Sequence, residues 1–395
     1  MRIIKYLTKL LSLLVLLVLL FVLVSSVSPI YDYAPATPFT GNDIYNPYKG
    51  YDSLLGWKKA NFHTHTKVEG IMNECDLWPA EVLECYNKLD YDIVTFSNHN
   101  ELTEHPTDES LQVDVYEHGY NFFKYHLLVF GSNKVKHYDA MVPVFLSHMQ
   151  FQISRLLEDS DIVQLNHPLR SRGISKRDMQ NLSGYSLIEL DSGRSTENEY
   201  WDWALSAGRY SFGVANDDLH YPDKSNLIGV RCNFLNTPSG KWADLKNTLE
   251  SGCFYSMRVP DYGNGDWEYK YSRHKDLPQI ESIGLQESTV YMQVSQIADS
   301  IKVFGQDHTE LKKVTACDNV DYKIANTDSY ARLVAYFPEG EVIYTNAFAR
   351  YDAAESDTPF RGDLYKVNML LTILYNILLL FIIFIVAYKV IRLFR

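Results

Sequence analysis

Basic charge is scarce in this chain. Lys and Arg number 37 against 49 Asp and Glu over 395 residues, a net charge of −12. Six of those basic residues (Arg2, Lys5, Lys9, Lys389, Arg392 and Arg395) lie at the termini, so the remainder carries −18. A body that acidic is a poor partner for nucleic acid, which is bound by neutralising its phosphates. It is also repelled by an anionic membrane surface, except where basic residues cluster locally. Cysteine is sparse too. Cys75, Cys85, Cys232, Cys253 and Cys317 show no CxxC and no zinc-finger spacing, which excludes thiolate zinc modules. Cys75–Cys85 and Cys232–Cys253 are candidate disulfides in an exported chain, with buried thiols as the alternative. The chain has no glycine-rich phosphate loop, no GxSxG elbow and no internal repeat, so neither a P-loop site nor a serine nucleophile is expected.

Apolar residues are plentiful at the two ends. Residues 10–27 are apolar apart from Ser12, Ser25 and Ser26, and 367–388 carry few polar residues, Thr372, Tyr375 and Asn376 among them. At about 1.5 Å per residue each run crosses, or nearly crosses, a hydrocarbon core of about 30 Å. Arg2, Lys5 and Lys9 precede the first run, and Lys389, Arg392 and Arg395 follow the second. The positive-inside rule therefore predicts both termini in the cytoplasm and the intervening domain outside it. Segment 1–30 is read as a transmembrane anchor or a signal peptide, Val24-Ser25-Ser26 offering a small-residue cleavage site; the length of its apolar run favours an anchor. The expected localisation is the membrane.

Between the ends, 31–56 is rich in Pro, Tyr, Asn and Gly and reads as an extended linker. Residues 57–270 alternate short apolar runs with helical patterns. Strands are expected at 92–96, 126–130, 161–165, 186–190 and 211–215, with helices at 79–89, 142–157, 198–207 and 242–249. That rhythm argues for a parallel sheet or a barrel of the (β/α) kind. Residues 277–352 change to period-two alternation, read as a smaller antiparallel β module, before the second apolar helix at 367–388.

Ten of the 12 histidines precede residue 221, and their places are not random. His63 and His65 form an HxH pair, whose rings share one face of an extended strand. His99, His167 and the pair Asp218/His220 each directly follow an expected strand, and His126 opens another. In a (β/α) barrel such strand ends converge on one face. Glu117 and Asp218 add carboxylates. Imidazoles with hard carboxylates suit Zn, Mn or Fe(II) rather than Ca. Six histidines and two carboxylates exceed the needs of one tetrahedral ion, so two or three ions are expected. Arg170 and Arg194, each following a strand on the same face, are candidate substrate-binding residues, ahead of Arg172 and Arg258. His105, His118 and Glu189 are candidates for support behind the ligands; His137 and His148 read as helical or surface residues.

The ordered set HTHT, SNH, a Glu, YHLLVFG, NHP, IEL and DxH resembles the PHP (polymerase and histidinol phosphatase) domain superfamily over roughly residues 57–260. The resemblance implies a distorted (β/α)7 barrel that holds two or three metals for phosphoester hydrolysis. Carried over, it implies that His63, His65, Glu117 and Asp218 hold one ion and that His99 and His220 hold another. Glu117, His126 and His167 would hold a third, with Glu117 bridging. The family's first motif reads HxHTxxSD; here Glu69, in a loop one residue shorter, stands for that Asp. Asn98 replaces the Asp usual before the second-motif His.

The expected function is that of an exported, membrane-anchored, metal-dependent phosphoesterase, phosphatase or phosphodiesterase. Its cations would clamp phosphoryl oxygens and lower the pKa of water for in-line attack, with Glu117, Asp218 and His220 at the catalytic centre. A phosphorylated small molecule, a lipid head group or an envelope polymer is the expected substrate, and no nucleic acid. Two rivals are a metal-dependent hydrolase of a carboxyl ester, amide or carbamate, and a non-catalytic envelope receptor or scaffold stabilised by metal.

Overall fold

The computed structural model describes residues 2–69, 73–107, 113–192, 195–196, 199–220 and 227–394. Its mixed α/β body is built on two main sheets. The first runs Phe212–Asn216, Leu187–Ser192, Ile162–Leu165, Leu127–Phe130, Val115–His118, with Ser195–Thr196 appended to Leu187–Ser192. Its first two pairings are parallel and the last two antiparallel. Four of these strands are buried on both faces, Leu127–Phe130 as its unbroken apolar run requires and the others with Glu117, His118, Gln164 and Asn216 buried among apolar residues.

The second sheet begins with Ile93–Val94 parallel to Lys58–Asn61 and continues antiparallel through Arg231–Leu235 and Phe254–Arg258. There Val342–Thr345 joins it, followed by Tyr330–Tyr336, Thr289–Gly305 and Ile280–Gln286. The C-terminal antiparallel strands thus lie in one sheet with strands that flank the histidine-bearing loops. Val290, Met292 and Val294 are buried while Tyr291 and Gln293 face out, as the alternation predicts.

The closed barrel implied by the resemblance does not form. Among the described residues the only β-bridges between the two sheets are the isolated ones Thr64–Leu219 and His99–Glu117. At the first seam, side chains take the backbone groups that a ladder would use. Asn233 Oδ1 accepts from Ala215 N–H at 2.9 Å, and its Nδ2 donates to Ala215 O at 2.9 Å. Asn346 Oδ1 accepts from Gly213 N–H at 2.9 Å, and Ser256 Oγ donates to Gly213 O at 2.7 Å. Buried backbone groups must be paired, and here distant side chains pair them.

Helices Pro79–Asn87, Leu146–Leu157, Glu199–Ser206 and Trp242–Ser251 lie where apolar periodicity places them. Pro79 occupies the first turn, where its missing N–H is not needed, and Glu81 accepts from the Trp78 N–H at 2.8 Å. Gly252 ends the fourth helix at φ 80°, and a Cβ there would lie 2.2 Å from the Phe212 ring.

Cys232 and Cys253, a candidate pair, are buried thiols with no disulfide between them. Segment 31–56 is stitched to the body: Tyr31–Tyr33 pairs with Tyr365–Val367, and Asp43–Ile44 with Phe348–Tyr351. The terminal helices Arg2–Ser25 and Met369–Phe394 have 24 and 26 residues and pack against each other. By length and composition both are apolar enough to cross a membrane. Their inner ends are tied together. Tyr375 Oη donates to Ser26 O at 2.9 Å, Asn376 Nδ2 to Ser28 O at 2.9 Å, and Ile30 N–H to Thr372 Oγ1 at 2.9 Å.

Candidate metal centre

The two bridges that join the sheets also bring the histidine-bearing loops together. His65 N–H donates to Leu219 O at 2.8 Å, and Glu117 N–H to Asn98 O at 3.2 Å. Behind them a buried polar lattice fixes the backbone. Asp217 accepts from Gly229 N–H at 2.6 Å, Arg231 N–H at 2.9 Å and Tyr86 Oη at 2.8 Å. Tyr86 Oη accepts in turn from Asn61 Nδ2 at 3.0 Å. Asn98 clamps the first motif from the other side: its Oδ1 accepts from Thr66 N–H at 2.8 Å, and its Nδ2 donates to Thr66 Oγ1 at 2.7 Å and Thr103 Oγ1 at 2.6 Å. His167 and Asp218 hold φ values of 25° and 49°, a left-handed backbone that non-glycine residues adopt only under local constraint.

Glu117 is the hub. Its Oε1 lies 3.2 Å from His63 Nε2, 3.1 Å from His126 Nδ1 and 3.3 Å from His167 Nε2. Its Oε2 lies 3.3 Å from His65 Nε2 and 3.1 Å from His99 Nε2. Asp218 Oδ1 stands opposite, 3.2 Å from His63 Nε2, 3.4 Å from His65 Nε2 and 3.7 Å from His220 Nε2. The His220 ring stacks on His65 with centroids 4.5 Å apart. All but His220 and the slightly exposed His126 and His99 are buried.

These atoms fit a cation better than they fit each other. His63 Nε2 and His65 Nε2 are buried and make no hydrogen bond among the described residues, although carboxylate oxygens stand nearby. Donor atoms around a tetrahedral ion with ligand distances of about 2.1 Å are separated by about 3.4 Å. The spacings of His63, His65, Glu117 and Asp218 run from 3.2 to 3.4 Å. Three groups bring their ligand atoms within 4.8 Å of one another: His63–His65–Glu117–Asp218, His65–Glu74–His99, and His99–Glu117–His126. A buried His/Glu/Asp cluster fitted to a metal site is therefore present.

Electrostatics agree. Burial disfavours charge on His63, yet Glu117 and Glu189 outweigh it and push the pKa up to about 10, so positive charge is wanted at that point. Burial works against the Glu117 carboxylate, but His99, His63 and His126 hold it well below the usual range. Burial pushes His126 down to about 4 and His220 to about 3, leaving both neutral and able to ligate. Glu189 supports from behind. Its Oε1 lies 3.0 Å from His63 Nδ1, and its Oε2 accepts from His167 N–H at 2.9 Å.

The sequence-derived ligands His63, His65, His99, Glu117, His126, His167, Asp218 and His220 thus converge. Glu69 does not join them: it is exposed, and the carboxylate in that place is Glu74, with Oε2 3.1 Å from His99 Nε2 and 3.7 Å from His65 Nδ1. Lys67 N–H donates to Leu77 O at 2.6 Å, which holds residues 73–77, Glu74 among them, against the first motif. Arg170 pairs with Asp218 Oδ2 at the partly open side of the cluster. Arg194 lies outside the described residues. Arg172 is exposed, and Arg258 sits 4.0 Å from Asp191, away from the cluster. His118 turns away to the Lys136 carbonyl at 3.0 Å, and His105 stacks on Phe96. His137 is exposed, whereas His148 is buried within its helix and bonds Tyr375 Oη at 3.0 Å.

No family model and no curated protein matches the chain. Among solved structures, it is similar to a two-domain protein from Bacteroides vulgatus described as containing a predicted PHP-like metal-dependent phosphoesterase. The two share 13% identity at a TM-score of 0.40, over 80% of this chain and 100% of that one.

Proposed function

We propose that the chain is a metal-dependent phosphoesterase held at a membrane by its terminal helices, with its body on the extracytoplasmic side. The observation that carries this reading is the position of Glu117 amid five imidazoles, two of them with buried Nε2 atoms that lack a hydrogen-bond partner among the described residues. Ligands split between neutral imidazole and carboxylate suit divalent Zn, Mn or Fe. Such ions would supply Lewis-acid polarisation of phosphoryl oxygens and a lowered pKa for water. The chain's own residues do the rest. Glu117 presents one oxygen to His63, His126 and His167 and the other to His65 and His99, so it can serve neighbouring ions at once. Glu189 orients His63, and Asp217 with Tyr86 keeps the adjacent backbone from yielding. Arg170, half-open to solvent beside Asp218, is placed to exchange its carboxylate partner for a phosphate oxygen.

The test is to purify the full chain in detergent, measure its metal content, and assay aryl phosphomonoesters, aryl phosphodiesters and carboxyl esters. His63→Ala and Asp218→Ala are expected to lose metal and at least about 100-fold of phosphoester turnover. Bound metal without turnover of either phosphoester class would reject the reading, and turnover of carboxyl esters alone would replace it.

A further inference from the structure

The segment 119–124 connects the metal centre to the apolar helices. At one end, Tyr120 Oη donates to His99 O at 2.8 Å, and its ring lies 5.5 Å from the His99 imidazole. Two residues on, Phe122 N–H donates to Met141 O at 3.0 Å. Met141 N–H in turn reaches Oγ of Ser25, the last residue of the first apolar helix, at 3.3 Å. Tyr138 Oη holds the same level, its one proton shared between the carbonyls of Val27 at 2.7 Å and Ser25 at 3.0 Å. On the second helix, Tyr375 faces Phe145 with ring centroids 6.2 Å apart. One residue's backbone thus separates Phe122 from the level at which the first helix would leave a bilayer.

The side chains along this path are unusual for an acidic body. Phe122 is 60% exposed and Leu169 46%, with Val144 and Phe145 exposed beyond them. The loop bearing Leu169 is bound alongside: Ser171 Oγ donates to Lys124 O at 2.6 Å, and Arg172 N–H to Phe123 O at 2.6 Å. Lys124 and Arg172 are both exposed. Large apolar side chains left in water forfeit about 25 cal/mol for each Å². Apolar side chains interleaved with Lys and Arg are the composition of surfaces that settle into the boundary of an anionic bilayer.

We propose that this rim rests in the lipid–water interface and that the metal centre hydrolyses a phosphoester in the head group of a membrane lipid. The proposal rests on the phosphoesterase reading above and narrows its substrate. The occupant of the rim is the bilayer that holds the terminal helices, since the exposed apolar surface continues into those helices. A soluble phosphorylated molecule would gain nothing from Phe122 or Leu169. In the reaction, water oxygen bonds to phosphorus as the ester P–O bond breaks, and the departing alkoxide takes the proton that water loses.

The full chain would be reconstituted in phosphatidylcholine vesicles carrying phosphatidic acid or phosphatidylglycerol. Turnover would be compared with soluble p-nitrophenyl phosphate and bis(p-nitrophenyl) phosphate. The lipid of the ester class accepted in solution is expected to be cleaved. The double variant Phe122→Ala/Leu169→Ala is expected to lower lipid turnover about tenfold while soluble turnover stays within about twofold, as loss of interfacial anchoring predicts. Phe122→Trp, a second variant at this exposed site, is expected to add emission that brominated phosphatidylcholine quenches. Soluble turnover without lipid turnover, an equal loss on both substrates, or unquenched emission overturns the proposal and leaves the phosphoesterase reading standing. Absence of turnover on every phosphoester overturns both.

Discussion

His63 Nδ1 lies 3.0 Å from Oε1 of Glu189, and this contact decides which ring nitrogen faces the cluster. A carboxylate on Nδ1 keeps a proton there, so Nε2 is the nitrogen that would give up its proton to a cation between Glu117 and Asp218. Asn216 Nδ2 donates to the same Glu189 oxygen at 3.1 Å and keeps the carboxylate from rotating away. Glu189→Ala is therefore expected to weaken binding of Zn or Mn by about 10- to 100-fold. Titration calorimetry on metal-stripped protein checks it, with circular dichroism confirming that the variant is folded.

Glu74 and Glu69 separate cleanly. Glu74 stands 3.1 Å from His99 Nε2, whereas Glu69 is exposed. Glu74→Ala is expected to lower the metal content per chain relative to wild type, and Glu69→Ala to leave it unchanged. Elemental analysis after dialysis decides between them; loss of metal from the Glu69 variant would restore that residue to the site.

Asn98 holds the first motif through one accepted and one donated hydrogen bond to Thr66, and donates a third bond to Thr103. Asn98→Ala leaves the buried Thr66 N–H without an acceptor, which costs about 1–3 kcal/mol. The midpoint of chemical unfolding should fall accordingly. Asn98→Asp keeps the acceptor but adds a carboxylate to an acidic cluster, so its shortfall should be larger in stripped protein than in metal-loaded protein.

His118 supplies a pH dependence. Burial pushes its pKa down to about 4 from an ordinary value of 6.5, so the folded state keeps it neutral while the unfolded chain takes up a proton. Its contribution is fully present above pH 6.5 and is lost as pH falls toward 4, by up to about 3 kcal/mol. His118→Gln should flatten that part of the stability profile, as read by unfolding at a series of pH values.

Much of the site was legible because it is local. The HxH pair needs only the two-residue period of a strand, and the other histidines announce themselves by following apolar runs. Glu74 was not legible, because a count along the first motif ends at Glu69. Only the hydrogen bonds of Lys67 N–H to Leu77 O and Val68 N–H to Asn73 Oδ1 bring Glu74 inward. Closure of the sheet was not legible for a related reason. Asn233 and Asn346, far along the chain from Phe212–Asn216, take up the hydrogen bonds of Gly213 and Ala215. Strand periodicity carries no record of such substitutions.

The antiparallel match of Tyr31–Tyr33 with Tyr365–Val367 sets an order of events during synthesis. The first of these strands emerges early and has no ladder to join until nearly the whole chain has been made. Closing so long a loop adds little to its cost, which grows only with the logarithm of length, but it fixes when closure occurs. The part of the molecule nearest the apolar helices is thus completed last. A chain stalled or truncated before Tyr365 would leave the Tyr31–Tyr33 edge open, an unpaired strand that invites pairing with another chain.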